Sequence, residues 1–241
     1  MKAFHNKDGK PVLMRMVSGI KENKDYLGEI DGLIGDGDHG MNMNKGFSLF
    51  QQRFEKETFD LSEGLRELGM ILLNEIGGSM GPIYGTVFMA MADEADGKDE
   101  ITVSDLYQML DQAKKELEEL VGARTGDKTL MDTLTPAVAA LEKAGQEGAD
   151  MQTALVQMKK AAESGRDSTK DMIAKFGRAK SLLERAIGHQ DAGATSVWLI
   201  FQGMREYVED KMAAGKDVIL EIEIQGALNI KKKFPDALLV F

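Results

Sequence analysis

Apolar residues recur at helical spacing along most of the chain, and short polar segments rich in glycine interrupt them. In the first such stretch the apolar positions fall on one face of an α-helix: Leu13, Met16, Val17, Ile20, Tyr26, Leu27 and Ile30. The same spacing, together with cap residues such as Ser62 and Ser104, predicts eight helices: 12–30, 41–54, 61–76, 83–95, 104–120, one after residue 129, 151–175 and 195–213. The pattern therefore predicts an all-α fold.

Short connections between helices of this length favour an antiparallel, up-and-down arrangement. In such an arrangement alternate loops lie at the same end of the molecule. The four loops richest in glycine and charge are alternate ones: 31–42, 77–82, 122–129 and 177–193. We expect them to share one rim, where a binding site can form.

The last thirty residues change character. Residues 217–224 are rich in β-branched side chains and predict a strand, followed by a short helix over 227–234 and a second strand over 237–241. A β-α-β-like appendage of this size cannot bury both faces of its strands alone. We therefore expect a helical domain over residues 1–210 and an appendage, not a complete domain, over 211–241.

Composition and charge narrow the classes of function that the chain can have. The chain has 241 residues, 43% hydrophobic and 29% charged, which is ordinary for a globular protein. Its formal net charge of −10 argues against binding a nucleic-acid backbone or an anionic membrane surface. It contains no cysteine, begins without the apolar run of a signal peptide, and has no apolar stretch of transmembrane length. We expect a cytoplasmic protein.

The most informative polar loop carries three carboxylates, Asp31, Asp36 and Asp38, interleaved with glycines. Like charges this close repel one another, and oxygen ligands suit a hard cation such as Mg²⁺ or Ca²⁺. The spacing is not that of an EF-hand. A helix begins soon after, at about Met41, and its free backbone N–H groups attract phosphate. A metal and phosphate site is one interpretation; a solvated turn rich in aspartate is the other.

The remaining polar loops are less specific. The Gly77–Pro82 turn would let backbone N–H groups approach a ligand, but glycine and proline are equally typical of a plain turn between helices. Asp127 either belongs to a site or caps the following helix. His189, one of three histidines, is more typical of a hydrogen-bonded structural residue.

Taken together, five motifs resemble the nucleotide-binding L subunit of dihydroxyacetone kinase over about residues 10–207. The motifs, in order, are Asp31-x4-Asp36-Gly37-Asp38-His39-Gly40-x-Asn42, Gly77-Gly78-Ser79-x-Gly81-Pro82, Gly126-Asp127-Lys128-Thr129, Gly177-Arg178-Ala179 and Gly188-His189-Gln190-Asp191-x-Gly193-Ala194-Thr195-Ser196. The resemblance implies an antiparallel barrel of eight helices that binds ADP or ATP in the loops at one end.

The resemblance also implies roles for particular residues. Asp31, Asp36 and Asp38 would hold a pair of Mg²⁺ ions that bridge the phosphates. The remaining nucleotide contacts that it implies are His39, Asn42, Ser79, Met80, Gly122, Leu130, Arg178, Asp191, Ala192 and Gly193. Among these, Gly122 and Leu130 would lie around the base, while Arg178 and 191–193 would close over the nucleotide. No side chain is expected to act as a covalent nucleophile.

The implied reaction is phosphoryl transfer to dihydroxyacetone, with ADP as a bound cofactor. A phosphohistidine carrier of the phosphotransferase system would rephosphorylate the nucleotide, and a separate K subunit would hold the sugar. Two alternatives stay open: the nucleotide domain of a related kinase of the fatty acid kinase type, and a module that binds a transcriptional regulator in its ADP state. Nucleic acid and membrane are not expected partners.

Two departures from the family pattern are visible. Met80 stands where a small residue is usual, and Lys180, Ser181 and Leu183 replace the usual residues after Arg178. The tail is similar to an internal segment of guanylate kinases over about 217–237. Because the chain lacks the G-x-x-x-x-G-K-[ST] phosphate loop, guanylate kinase activity is not expected.

Overall fold

The computed structural model describes the backbone of residues 3–213 and the side chains of residues 3–210. Helices dominate this range, which confirms the all-α fold class. They are α1 (Gly9–Glu22), α2 (Lys24–Ile34), α3 (His39–Phe54), α4 (Leu61–Glu75), α5 (Met80–Ala95), α6 (Val103–Val121), α7 (Met131–Gln146), α8 (Met151–Ser168) and α9 (Ala192–Ala213). The elements predicted over 217–241, and the segment resembling guanylate kinases, lie outside the described residues.

The helix predicted over residues 12–30 is divided at Asn23 into α1 and α2. Asn23 leaves the helical conformation (φ −103°, ψ 14°), and its side-chain amide donates to the carbonyl of Gly19 at 2.8 Å. An asparagine that bonds to nearby backbone competes with helix continuation. The described residues therefore hold nine α-helices, although the apolar spacing runs through the break unchanged.

Two helices begin at caps other than the predicted Ser62 and Ser104. The cap of α4 is Asp60, whose carboxylate accepts from the backbone N–H of Glu63 at 2.9 Å while the Glu63 side chain accepts from Asp60 N–H at 3.0 Å. The cap of α6 is Thr102. A cap residue needs extended backbone, which Asp60 and Thr102 have, whereas the two serines already lie in the first helical turn.

After α8 the chain does not continue as the α-helix predicted to residue 175. It tightens into a 3₁₀ turn at Thr169–Asp171, and a second 3₁₀ segment follows at Arg178–Ala186. That second segment is kinked at Leu183 (φ 53°, ψ −126°). The connection between α8 and α9 is therefore a folded segment and not a simple loop.

Two short strands, which the sequence pattern did not predict, join the N-terminal region to the start of α6. β1 (Ala3–His5) pairs antiparallel with β2 (Glu100–Thr102), with Phe4 opposite Ile101. Asn6 follows, and its amide donates to the carbonyl of Lys98 at 2.8 Å while its carbonyl oxygen accepts from Leu61 N–H at 3.1 Å. Three-residue strands are too short to produce a recognisable alternation.

Helices adjacent in sequence pack on one another from α3 to α8, and α9 closes the arrangement between α8 and α1. The Arg166 guanidinium of α8 lies 4.0 Å from the ring centroid of Trp198 on α9. On the other side, a Cβ added at Gly203 of α9 would lie 2.8 Å from the carbonyl oxygen of Arg15 on α1. The interior is filled by fully buried side chains such as Phe47 and Phe88. None of the described helices combines the length and apolar character that crossing a membrane requires.

Candidate functional site

Four helix connections line one cleft of about 500 Å³. They are the connections α2–α3, α4–α5, α6–α7 and α8–α9. This confirms the expectation that the four loops rich in glycine and charge share one rim. Part of the lining is acidic or polar, and the rest is apolar, with Ile34, Ile83, Val121, Leu130 and Phe176.

Three carboxylates converge at this cleft. Asp31 lies near the end of α2, Asp36 in the connection, and Asp38 immediately before α3. One oxygen from each lies within 4.8 Å of the other two. The donors are all oxygen atoms, which is the set that Mg²⁺ or Ca²⁺ takes. The residues present therefore fit a hard divalent cation.

The electrostatics of these three carboxylates, which we call the acidic trio, favour binding of a cation. Burial raises the pKa of Asp31, and the nearby Asp36 and Asp38 raise it further, while backbone hydrogen bonds from His39 and Gly37 act in the opposite direction. The His39 N–H donates to the Asp31 carboxylate at 3.3 Å. A bound divalent ion would relieve the repulsion among these side chains.

Glycine allows this turn to be short. Gly37 adopts a positive φ of 77°, a conformation that residues with a Cβ seldom take. Gly40, in the first turn of α3, lies against α2 so closely that an added Cβ would come within 2.0 Å of the carbonyl oxygen of Lys24. The close approach of α3 to α2 brings Asp38 to Asp31.

Arg178 reaches the acidic trio from the α8–α9 segment. One terminal nitrogen of its guanidinium lies 2.7 Å from a carboxylate oxygen of Asp36. The Arg178 side chain is largely exposed, and that of Asp36 is about one-third exposed. An exposed ion pair contributes little to stability, so Arg178 is free to exchange this partner for another anion.

Behind the trio, His39 enters a buried hydrogen-bonded network. Its Nε2 lies 3.0 Å from Ser196 Oγ, which is 2.5 Å from the hydroxyl of Tyr84. Burial lowers the pKa of His39 to about 4 and raises the pKa of Tyr84. At neutral pH the histidine is therefore neutral and the tyrosine protonated. Ser196 ends the fifth motif but has no role predicted from the sequence, and Tyr84 stands outside the motifs, because nothing local distinguishes a tyrosine or serine that tertiary packing places beside a histidine.

Asp191 lies immediately before α9, at the edge of the cleft. Its carboxylate accepts from the backbone N–H of Ala194 at 2.7 Å and so caps the helix. Burial raises its pKa to about 6. Ala192 and Gly193, which follow it, also line the cleft.

Of the other predicted nucleotide contacts, Ser79, Met80 and Leu130 line the cleft, as do Arg178 and His39. Asn42 and Gly122 are not among the lining residues. Gly122 ends α6 in the left-handed conformation (φ 68°) and leaves its two neighbours, Val121 and Ala123, to face the cleft.

The departures from the family pattern lie at the cleft or beside it. Met80 begins α5 and lines the cleft. Leu183 is 64% exposed at the kink of the 3₁₀ segment, and the Ser181 hydroxyl donates to the carbonyl of Arg178 at 2.9 Å. Lys180 is exposed. Lys180, Ser181 and Leu183 therefore alter the outer face of the segment that carries Arg178, whereas Met80 alters the lining of the cleft itself.

Comparison with known proteins gives a consistent result. Residues 33–206 match the DAK2 domain. The chain is 38% identical over 179 residues to the ADP-binding subunit DhaL of the PEP-dependent dihydroxyacetone kinase of Escherichia coli K12, covering 74% of this chain and 85% of that protein. It is 36% identical over 200 residues to a corresponding subunit of Listeria innocua, covering 81% of this chain and 91% of that protein.

Among solved structures, the dihydroxyacetone kinase of C. freundii, crystallised with AMP-PNP and Mg²⁺, matches with a TM-score of 0.62 and 21% identity. The match covers 86% of this chain and 35% of that longer chain. At 21% sequence identity, this structural similarity establishes that the two proteins share a fold.

Proposed function

The chain belongs to the DAK2 domain family, and from that premise we propose that it is the nucleotide-binding subunit of a phosphoenolpyruvate-dependent dihydroxyacetone kinase. The relatives described above are ADP-binding subunits of such kinases. One observation carries the proposal: three carboxylates and one guanidinium meet at a cleft whose remaining lining is largely apolar.

In this proposal Asp31, Asp36 and Asp38 are the residues that would hold a pair of Mg²⁺ ions for the phosphates of ADP or ATP. When bound, the ions neutralise the phosphate charge. Gly122 and Leu130 would lie around the base, with Val121 and Ala123 beside Gly122 facing the cleft, and Arg178 would exchange Asp36 for the phosphates. The other proposed nucleotide contacts are His39, Asn42, Ser79, Met80, Asp191, Ala192 and Gly193.

Phosphoryl transfer asks a protein mainly for positioning and charge neutralisation. The cleft offers both, because its carboxylates attract cations and the Arg178 guanidinium attracts the negative charge of phosphates. His39 and Tyr84 keep their neutral forms at pH 7 and, through Ser196, hold the N-terminal parts of α3, α5 and α9 together. A bound ADP would supply the terminal phosphate oxygen to which a phosphoryl group is added before its transfer to dihydroxyacetone.

Partner proteins complete the proposed cycle. A phosphohistidine carrier of the phosphotransferase system supplies the phosphoryl group, and a K subunit presents the sugar. The α8–α9 segment carries the exposed apolar side chains Ile173, Phe176, Leu183 and Ile187, of which Phe176 lines the cleft, and such side chains suit docking of a partner protein. A transcriptional regulator that recognises the ADP state is a further candidate partner.

The decisive experiment removes the charge of two proposed ligands. Asp36→Asn combined with Asp38→Asn should abolish Mg²⁺-dependent retention of ADP, measured by native mass spectrometry and isothermal titration calorimetry. Circular dichroism should show unchanged helix content, because both side chains lie outside the helices. A matched control, Asp25→Asn with Asp99→Asn, removes the same charge from two exposed positions and should leave ADP retention unchanged.

If the Asp36/Asp38 variant retains ADP as the parent does, the metal assignment is wrong. A second assay addresses the reaction: the chain is mixed with a K subunit, a phosphorylated carrier and dihydroxyacetone, and formation of dihydroxyacetone phosphate is followed. Activity with an acyl-carrying partner instead of the sugar-binding one would favour the fatty acid kinase type.

A further inference from the structure

Lys128 is a lysine in an unusual setting. It lies in the α6–α7 connection, is 1% exposed, and has a positive φ of 60°. Its ammonium group donates to three backbone carbonyls: Thr169 at 2.7 Å, Ala186 at 2.8 Å and His189 at 2.6 Å. An ammonium has three N–H donors, so backbone oxygens of a single distant segment satisfy all of them.

The three carbonyls belong to the connection between α8 and α9. We call residues 172–191 the cover segment, because it carries Arg178 and ends at Asp191 beside the cleft. Thr169 lies just before this segment, while Ala186 and His189 lie in its second half. Lys128 thus bonds to both ends of the stretch that presents Arg178 to the acidic trio.

The neighbouring Asp127 makes an independent attachment near the beginning of the cover segment. Its carboxylate accepts from the Lys175 ammonium at 2.6 Å, and its backbone carbonyl accepts from Lys175 N–H at 3.1 Å. The other carboxylate oxygen accepts from Arg124 N–H at 2.8 Å, which orients Asp127. Two consecutive residues of one turn therefore attach the cover segment at three positions, Lys175, Ala186 and His189, and also bond to Thr169 just before it.

Apolar packing contributes little to holding the cover segment against the rest of the protein. The buried cluster beneath the cover segment consists of Ile34 and three alanines, Ala174, Ala179 and Ala186, with Leu182 packed against it. Alanine side chains bury little area, and hydrophobic stabilisation scales with the area removed from water. Polar attachment, dominated by the charged hydrogen bonds of Lys128, must therefore hold the segment in place.

We propose that Lys128 is a positioning residue that fixes the cover segment over the cleft and so sets the place of Arg178 and Asp191 relative to the acidic trio. Without the ammonium, all three carbonyls would lose a charged donor, although that of Thr169 would keep the Met172 N–H at 3.3 Å, and the segment would detach locally to bond with water. The inferred effect of Lys128 on nucleotide binding rests on the proposed function, whereas its effect on the cover segment does not.

The test is hydrogen–deuterium exchange of the full chain without nucleotide. Lys128→Met should accelerate amide exchange in residues 172–190 by at least about tenfold, because local opening replaces protected structure, while α4 and α5 exchange as in the parent. Lys143→Met, at an exposed lysine on α7, is the control and should leave exchange in both regions unchanged. Lys128→Gln, which keeps a donor, should give an intermediate acceleration.

The absence of native cysteine permits a chemical rescue. Lys128→Cys, alkylated with bromoethylamine in urea and refolded, regains an ammonium at nearly the original distance and should recover parental exchange in 172–190. The parent taken through the same procedure is the control. Equal exchange in parent and Lys128→Met, equal acceleration in the cover segment and α4, or failure of the ammonium to restore protection would each overturn the proposal.

Nucleotide measurements then separate the two proposals. With a parent that binds Mg²⁺ and ADP, Lys128→Met should release ADP at least about tenfold faster, as expected when a closing segment opens locally. A parent that binds no ADP would refute the proposed function, and the exchange experiment would still decide the role of Lys128.

Discussion

At the scale of single residues, the network of His39, Ser196 and Tyr84 makes the cleft sensitive to acid. His39 is buried and its pKa is lowered to about 4, whereas an exposed histidine titrates near 6.5. The unfolded chain therefore binds a proton between these values that the folded chain does not. Stability from the neutral histidine is fully present above pH 6.5 and is lost as pH falls towards 4.

We predict that His39→Gln removes this acid sensitivity. Between pH 7 and pH 4 the parent should lose up to about 3 kcal/mol of unfolding free energy through His39, and the variant should not. Urea denaturation at several pH values measures the difference between the two proteins. Asp191 is present in both and cancels in the comparison, and His5→Gln at an exposed position is the control. If the unfolding free energies of the parent and His39→Gln differed by the same amount at every pH, the prediction would be wrong.

The acidic trio could be predicted from sequence because its members lie within eight residues and are separated by glycines, so local chain geometry already brings them together. The roles of Tyr84, Ser196 and Lys128 could not be predicted in the same way, although Ser196 and Lys128 stand in the family motifs. Their roles depend on contacts between segments far apart in sequence: the Lys128 ammonium meets carbonyls 41 to 61 residues away. Residue type alone does not reveal such contacts.

At the scale of elements, the α2–α3 turn depends on the absence of one side chain. A Cβ at Gly40 would meet backbone atoms of α2, including Lys24 O within 2.0 Å and Gly28 N within 2.7 Å. Gly77, in the α4–α5 connection, has open space around it and no positive φ. These two glycines therefore form a matched pair beside the same cleft.

We predict that Gly40→Ala destabilises the protein by about 1–3 kcal/mol through overpacking and weakens Mg²⁺ binding, because α3 must move away from α2 and carry Asp38 with it. Gly77→Ala should leave both quantities nearly unchanged. Chemical denaturation and calorimetric titration with Mg²⁺ and ADP provide the measurements. Equal effects of the two substitutions would show that the approach of α3 to α2 does not position the trio.

The helix centres could be predicted because the apolar spacing reflects the buried face of each helix directly. The division at Asn23, the caps at Asp60 and Thr102, and the 3₁₀ segment Arg178–Ala186 could not. Each depends on one or a few backbone hydrogen bonds, and such local bonds leave the apolar spacing unchanged. The family resemblance indicated that Arg178 faces the nucleotide, but only the structure places its guanidinium on Asp36.

At the scale of the whole molecule, every residue that lines the cleft lies between Asp31 and Gly193. The described residues up to Glu209 form one compact unit. In its last part α9 still contributes buried side chains, Met204, Tyr207 and Val208, and Gly203 packs directly against α1. The cleft and the helices that support it are thus contained in the first part of the chain.

We predict that a chain ending at Ala213 binds Mg²⁺ and ADP within about twofold of the full chain, because it keeps every residue that lines the cleft and the buried residues of α9 named above. A second truncation, after Gln202, removes Gly203, Met204, Tyr207 and Val208 and should lower the thermal unfolding midpoint and weaken ADP binding together. Calorimetry and thermal unfolding of the three chains test this. If the chain ending at Ala213 lost ADP, residues 214–241 would be part of the functional domain, and the division near residue 210 would be wrong.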